Sequence, residues 1–340
     1  MTVIRQVLML LFALFISALM DSGDAGGENR PASSSDFATP ATGTSLPVFP
    51  ETMTDDDGRS VLMTHIAMRI ISLSPNITEL IFAAGAGKKL VGVSRHSNYP
   101  DAAKSIPYIG DSFSLDLERI VALHPDLLLA WRSGKARADI EKLERLGLTV
   151  FTTEAATLAD VPRLLRTIGR LAGTSGSAER TAKTYEEALQ QIENSYSNRP
   201  KVSVFQLIWH QPLMTVNNQH LISDVIRVCG GTNVFALSSS LTPVVSGENL
   251  LAADPDAIIS SVLLEQEESA PAEVKAFLRQ FSQLSAVRNN NIFFVHPDLI
   301  QRQTTRVLQG TRLVCEQLER VRSRRKIDRL TDPDFRTPPP

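Results

Sequence analysis

The stretch Arg69-Ile-Ile-Ser-Leu-Ser-Pro-Asn-Ile-Thr-Glu-Leu-Ile-Phe-Ala-Ala-Gly85 changes its hydrophobic period half way along. Residues 69–73 are a short β-branched run, which predicts a strand. From Asn76 onward Ile77, Leu80, Ile81 and Ala84 recur at helical spacing. Ser74, Pro75 and Asn76 supply the turn, and Asn76 or Thr78, followed by Glu79, offers N-cap chemistry. A helix start leaves backbone N–H groups without intrahelical partners, so Ser74, Pro75 and Asn76 are candidate ligand contacts. The plain alternative is a connecting turn, a common signal in α/β proteins.

Outward from this stretch the alternation repeats. Residues 89–94 read as a strand, 95–100 as its loop, 115–123 as a helix, and 126–131 as a strand ending in Arg132-Ser133-Gly134. A helix over 140–146 stops at Gly147, and 149–152 is another strand. Strands separated by helices predict a parallel sheet covered on both faces. Ala178, Ala182, Tyr185, Ala188, Leu189 and Ile192 then mark one long amphipathic helix. Beyond it, 201–208 restarts the pattern, with the loop Trp209-His210-Gln211-Pro212. A helix over 221–228, strands over 257–261 and 291–295, and helices over 274–281 and 304–321 complete it. The prediction is an α/β protein of two doubly wound lobes, 67–172 and 200–325, joined by a linker helix over 173–199, with a flexible tail over 326–340.

Composition narrows the setting. A formal net charge of −2 and a pI near 6.3 argue against a protein that coats nucleic acid. At the N-terminus Arg5 precedes an apolar run over 7–20 and small residues over 22–25. The run is short for a membrane span but right for a secretory signal over 1–25, and no Cys near the cleavage point suggests a lipid anchor. The expected product is therefore a soluble exported protein, with an uncleaved N-terminal anchor as the alternative. Residues 26–66, rich in Gly, Ser, Thr, Pro and Asp, read as a disordered spacer. In an oxidising compartment the only two cysteines, Cys229 and Cys315, predict one structural disulfide. The basic cluster Arg320, Arg322, Arg324, Arg325, Lys326 and Arg329 reads as a solvated helix end, with an anionic partner as the functional alternative.

An internal echo links the lobes. Glu118, Ala122, Pro125 and Asp126 precede one apolar run; Glu248, Ala252, Pro255 and Asp256 precede another at the same offsets. Such a repeat predicts equivalent lobes with Glu118 and Glu248 at corresponding exposed places. The alternative is two carboxylates favoured by helix dipoles.

With 73–79, 117–132 and 228–234 in view, the chain resembles the periplasmic vitamin B12-binding proteins, the substrate-binding components of cobalamin ABC importers. They fall within the wider class that also carries ferric siderophores and haem. The resemblance runs from about residue 69 to 322. It implies a ligand cleft between two lobes, with cobalamin or a related corrinoid as cargo and no resident cofactor. It implies docking of Glu118 and Glu248 onto an ABC transporter permease, where two carboxylates fix orientation more than they add energy. It also implies a cleft lined by aromatic side chains, with Tyr99, Trp131 and Trp209 as candidates, Phe113 at a matching place and His210 beside Trp209. The chain departs from the family in having no Trp before Glu248 and no aromatic over 297–302. The expected state is a monomer without nucleic-acid partners.

Rival chemistries are weaker. His96, His210 and His296 each follow a predicted strand and offer a zinc or haem-iron set, but their spacing carries no motif. A siderophore, haem or metal-ion carrier is the alternative within the class. No nucleophile elbow, Walker A loop or His-Glu-x-x-His pair is present, so no catalytic residues are expected. The remaining alternatives are a ligand-free interaction protein and a hydrolase using His210 or His296 as base.

Overall fold

The computed structural model describes residues 49–111, 114–134, 137–262 and 270–331. The described residues fall into two compact units. The first holds the chain up to Thr153 together with Ile168–Ser177; the second holds Glu154–Thr167 and everything from Ala178 onward.

The first unit carries the sheet that the opening stretch predicts. Strand β3 is Ile70–Ser72, β4 Leu90–Val93, β5 Leu127–Trp131 and β6 Val150–Thr153, all parallel, in the order β4-β3-β5-β6. Helices α1 (Pro75–Ala83), α2 (Leu117–Ala122) and α3 (Arg137–Arg145) connect them. Ile71, Leu73, Ile120, Leu128, Ile140, Leu143 and Val150 meet in one buried cluster, which takes up the apolar faces of β3, α2, β5, α3 and β6.

The second unit repeats the plan. Strand β7 is Val202–Leu207, β10 Gly231–Asn233, β11 Ala257–Ser260 and β12 Ile292–Phe294, parallel in the order β10-β7-β11-β12. In both sheets the unit's first long strand lies inside, its second at one edge and its fourth at the other. Between β7 and β10 stand the short hairpin β8 (Trp209–His210) and β9 (Leu213–Met214), then α6 (Leu221–Val228). Helices α7 (Gly247–Ala253), α8 (Ala270–Leu278), α9 (Ser285–Arg288) and α10 (Pro297–Ile300) follow, and α11 (Val307–Thr331) closes the chain. Cys229, at the C-terminal end of α6, is disulfide-bonded to Cys315 in α11; both are fully buried.

Several expectations need correction. The spacer assigned to 26–66 contains an ordered hairpin, β1 (Glu51–Thr54) paired antiparallel with β2 (Ser60–Met63). Asp55 is 4 % exposed and accepts from the Arg59 guanidinium and from Thr152 N and Oγ1, so the hairpin is bolted to edge strand β6. The helix of the opening stretch starts earlier than the N-cap candidates Asn76 and Thr78 predict. Ser74 is its flanking residue and Pro75 its first helical one, a position that suits proline's fixed φ. The long helix occupies Ser175–Tyr196 (α5), shorter than 173–199, and a further helix, Asp160–Leu171 (α4), was not anticipated. The last helix runs to Thr331, past the point where a loose tail was expected, because no breaker precedes Pro333. The signal over 1–25, residues 26–48 of the spacer and the end of the tail lie outside the described residues. Among the described residues no helix is long and apolar enough to cross a membrane.

Candidate functional site

In a parallel sheet the loops at the carboxyl ends of neighbouring strands share one edge, and open α/β folds bind ligands there. In the first unit β3 ends at the Ser74-Pro75-Asn76 turn, β4 leads into the loop that carries Tyr99, and β5 ends at Trp131. Topology therefore gathers five of the six first-unit candidates on one edge. Phe113 lies outside the described residues.

The turn is held from within. Ser72 Oγ donates to the Ser74 carbonyl at 2.8 Å, Thr78 Oγ1 donates to Ser72 Oγ at 2.8 Å, and Ser97 Oγ lies 2.9 Å from Thr78 Oγ1. Ser94 Oγ is 3.3 Å further along. Ser74 Oγ donates to Asn76 Oδ1 at 2.6 Å, and both residues are only 6 % exposed. These hydroxyls tie the turn after β3 to the loop after β4; buried polar groups must be paired, and here they pair with each other. The sequence singled out the turn, and Thr78 only as an N-cap candidate, but not Ser72, Ser94 and Ser97, whose serine identities beside apolar runs were the available signal.

Tyr99 is 46 % exposed and precedes Pro100 across a cis peptide bond. Trp131 is half-buried. A Cβ added to Gly134 would lie 2.0 Å from Trp131 Cε3, so only glycine lets the 3-10 turn Arg132–Gly134 fold against the indole. Arg132 anchors the same turn by donating to the Asp56 carbonyl at 3.0 Å. A tryptophan held in this way presents a rigid aromatic surface, the kind of surface that binds flat apolar ligands at low entropic cost.

In the second unit the loop after β7 forms the β8–β9 hairpin. Trp209 is 8 % exposed and its Nε1 donates to the Gln211 carbonyl at 2.8 Å, so its ring is packed inside the unit. The His210 ring lies tilted beside it, with ring centroids 5.6 Å apart and planes 41° apart, and meets Phe277 edge-on at 5.3 Å; Phe277 meets Phe281 at 5.8 Å. Phe277 and Phe281 escaped the sequence reading, although their spacing of four residues in one apolar segment was visible. Burial pushes the His210 imidazole below its ordinary pKa, with Glu273 opposing, so the ring is neutral at pH 7. Its Nδ1 is buried with no partner among the described residues. Next to this hairpin, Gln206 Nε2 and Gln301 Nε2 each donate to Ser261 Oγ at 2.9 Å. The amides and hydroxyls of this set are neutral, while Arg302 and Arg306 pair with Asp298 in the segment after β12. Among the described residues no group of three His, Cys, Asp or Glu side chains is placed to hold a metal ion. His296 instead caps α10, its Nδ1 accepting from Asp298 N at 3.2 Å.

The two echoed helices are built alike. In α2 the Asp116 side chain accepts from Arg119 N, and in α7 the Ser246 side chain accepts from Asn249 N. Glu118 and Glu248 stand in the first turns and are exposed, while Ile120 and Leu250 are fully buried on the opposite face. After each helix the Pro-Asp pair turns back. Asp126 N donates to the Arg69 carbonyl, and its Oδ2 accepts from Arg69 N at 2.9 Å; Asp256 makes the same two bonds to Ser203.

Comparison with known proteins agrees with this plan. The model of the family described as periplasmic binding protein matches residues 70–299. The vitamin B12-binding protein of Vibrio campbellii is 32 % identical over 259 residues, covering 76 % of this chain and 92 % of its own length. That of Yersinia pestis is 30 % identical over 260 residues, covering 76 % and 89 %. Among solved structures, the periplasmic vitamin B12-binding protein BtuF of Vibrio cholerae superposes with a TM-score of 0.69 at 30 % identity, covering 75 % of this chain and 98 % of that one. The haem-binding protein RhuT from Roseiflexus shares the fold, with a TM-score of 0.64 at 22 % identity.

Proposed function

The chain belongs to the periplasmic binding protein family, and from that premise we propose that it captures cobalamin or a related corrinoid and delivers it, as a monomer, to an inner-membrane ABC transporter. One observation carries the reading: the likeness to relatives named for vitamin B12 runs over about nine-tenths of their length at 30–32 % identity.

The side chains fit that cargo. A corrin is a broad, flat ring edged by amide side chains. Trp131, locked by Gly134, and Tyr99 offer aromatic surface to the ring, each aromatic side chain being able to bury roughly 150–250 Å². The turn Ser74-Pro75-Asn76 lies on the same edge of the first unit. In the second unit the neutral His210 and the Gln206–Ser261–Gln301 set supply donors and acceptors suited to amides. Trp209, packed inside, holds the hairpin that presents His210. Glu118 and Glu248 are the transporter-docking residues. Each exposed pair adds about 1 kcal/mol or less, so their contribution is orientation. A secretory signal over 1–25 brings the chain to the periplasm.

The test is calorimetric titration of ligand-free protein, beginning at residue 26, with cyanocobalamin. A one-to-one isotherm with a nanomolar dissociation constant, about −12 kcal/mol, is the expected result. A flat trace overturns the corrinoid reading, and titration with haemin and a ferric hydroxamate then identifies the cargo.

A further inference from the structure

The hairpin β1–β2 stands ahead of residue 70, where the match to the family begins, and its tip lies at the ligand edge of the first unit. Asp55 Oδ1 accepts from Asp57 N at 3.0 Å and from Arg59 N at 2.9 Å, and Gly58 N donates to the Asp55 carbonyl at 2.9 Å. The same side chain, through Oδ2, ties this tip to Thr152 at the carboxyl end of β6. Asp56 N donates to the Thr152 carbonyl at 3.1 Å. Strand β6 is at the edge of its sheet, and covering an open edge is reason enough for these bonds. The bond from Arg132 to the Asp56 carbonyl has no such reason. It passes beyond β6 to the turn after the neighbouring strand β5, and Arg132 is an exposed residue whose guanidinium water would satisfy. The turn it holds, Arg132–Gly134, is the one folded against the Trp131 indole. A continuous connection thus runs from the Asp55 carboxylate through the tip and Arg132 to Trp131.

We infer that the β1–β2 hairpin is part of the cargo site, with Arg132 as a positioning residue: the tip holds the turn, and the turn holds the Trp131 indole in place for the cargo. The inference rests on the cargo reading above. A turn without its outer anchor samples other conformations, and only the fraction with the indole in place binds, so apparent affinity falls by that fraction. Coupling between two places is reciprocal. Cargo seated on Trp131 must therefore steady the tip in its turn, although the tip is tied to the indole only through Arg132. At its other end the hairpin is pinned by Arg170 Nε, which donates to Glu51 Oε2 at 3.1 Å. That tie serves the fold and has no link to the indole.

The test joins hydrogen exchange to affinity in the full chain. Amide exchange is followed by mass spectrometry with and without saturating cyanocobalamin, and the expected result is slower exchange over 55–59 together with 131–134. Arg132→Gln should weaken cyanocobalamin binding roughly threefold to tenfold, the worth of one net hydrogen bond, and should abolish the protection over 55–59. Arg132→Lys keeps a donor and should recover part of both. Gly58→Val acts from the tip alone: it strains a φ of +76° while its Cβ would meet no atom within 4 Å, and it should weaken binding in the same direction. Glu51→Gln loosens the other end of the hairpin and should leave affinity as it is, which a merely structural role for the hairpin would not allow. Slower exchange over 131–134 with none over 55–59 overturns the inference, and so does unchanged affinity in both Arg132→Gln and Gly58→Val. A parent that ignores cyanocobalamin overturns the corrinoid cargo instead, and the same comparison is then made with whichever of haemin and a ferric hydroxamate it binds. Binding of none of the three overturns both.

Discussion

Removing the disulfide should lower the stability of the second unit selectively and by a large amount. Cys229 and Cys315 are 86 residues apart in sequence, and both sulfurs lie in the core where α6 meets α11. The chain-entropy treatment of a cross-link closing a loop of that length gives about 4.6 kcal/mol at 25 °C. For a unit of this size each kcal/mol moves the melting midpoint by about 2–4 °C, so Cys229→Ala/Cys315→Ala should melt roughly 9–18 °C lower. Alanine is the right replacement because it brings no polar group into the core. The chain has two tryptophans, Trp131 in the first unit and Trp209 in the second, and Trp209 is packed inside its unit. Fluorescence melting is followed in a Trp131→Phe background, where Trp209 alone reports, and each disulfide variant is compared with its own single-tryptophan parent. A fall of less than about 3 °C in the Trp209 midpoint would refute the loop-entropy account. The wild-type bond should also resist dithiothreitol until the unit opens, since neither sulfur is exposed.

Three further outcomes can be measured. Burial raises the Asp55 carboxyl, but hydrogen bonds from Arg59 and Thr152 outweigh it and hold the group below its ordinary 3.8. The stabilisation is present above that value and is lost as pH falls through the lower folded value, and Asp55→Asn should cost about 2 kcal/mol and speed amide exchange over 51–63. Burial pushes His220 down to about 4, and its Nδ1 accepts from Ile222 N at 3.1 Å to cap α6. The folded value lies below 6.5, so this contribution is full above pH 6.5 and lost as pH falls towards 4; NMR should find the ring neutral at pH 5.5, and a charged ring there would refute the cap. Gly134→Ala should push the Trp131 indole aside and weaken cyanocobalamin binding about tenfold, nearly as much as Trp131→Ala; unchanged affinity in both would remove Trp131 from the cargo site.

How far the sequence could be read follows from where each element draws its stability. The strand-turn-helix over 69–85 was legible because its two hydrophobic periods are local, and so was α6, whose bounds match the sequence reading residue for residue. Helix α4 carried a readable signal in Val161, Leu164, Leu165 and Ile168, all buried, and Pro162 falls in its first turn, where proline is tolerated. The hairpin β1–β2 was not legible. Its strands are four residues each, and the bonds that hold it, from Asp55 to Thr152, span 97 residues. Strand β10 is Gly-Thr-Asn, which has little strand propensity and exists because β7 offers it a parallel ladder. The aromatic line from His210 to Phe277 is likewise a product of tertiary packing across 67 residues of chain.

The echo itself separates what the fold requires from what it leaves free. Asp126 and Asp256 recur because each fixes the start of an inner strand through paired bonds to Arg69 or Ser203, and Ile120 and Leu250 recur because each plugs its unit's core. Those four positions are explained once the two sheets are built. Burial raises the Asp256 carboxyl, yet Arg325 and Ser203 hold it below its ordinary value, so this aspartate is committed to structure and unavailable for recognition. Glu118 and Glu248 satisfy none of these demands, being exposed on the far side of the same helices. A repeat that includes residues the fold does not use points to a second constraint acting on both units, and a partner that meets each unit with the same surface is a constraint of that kind.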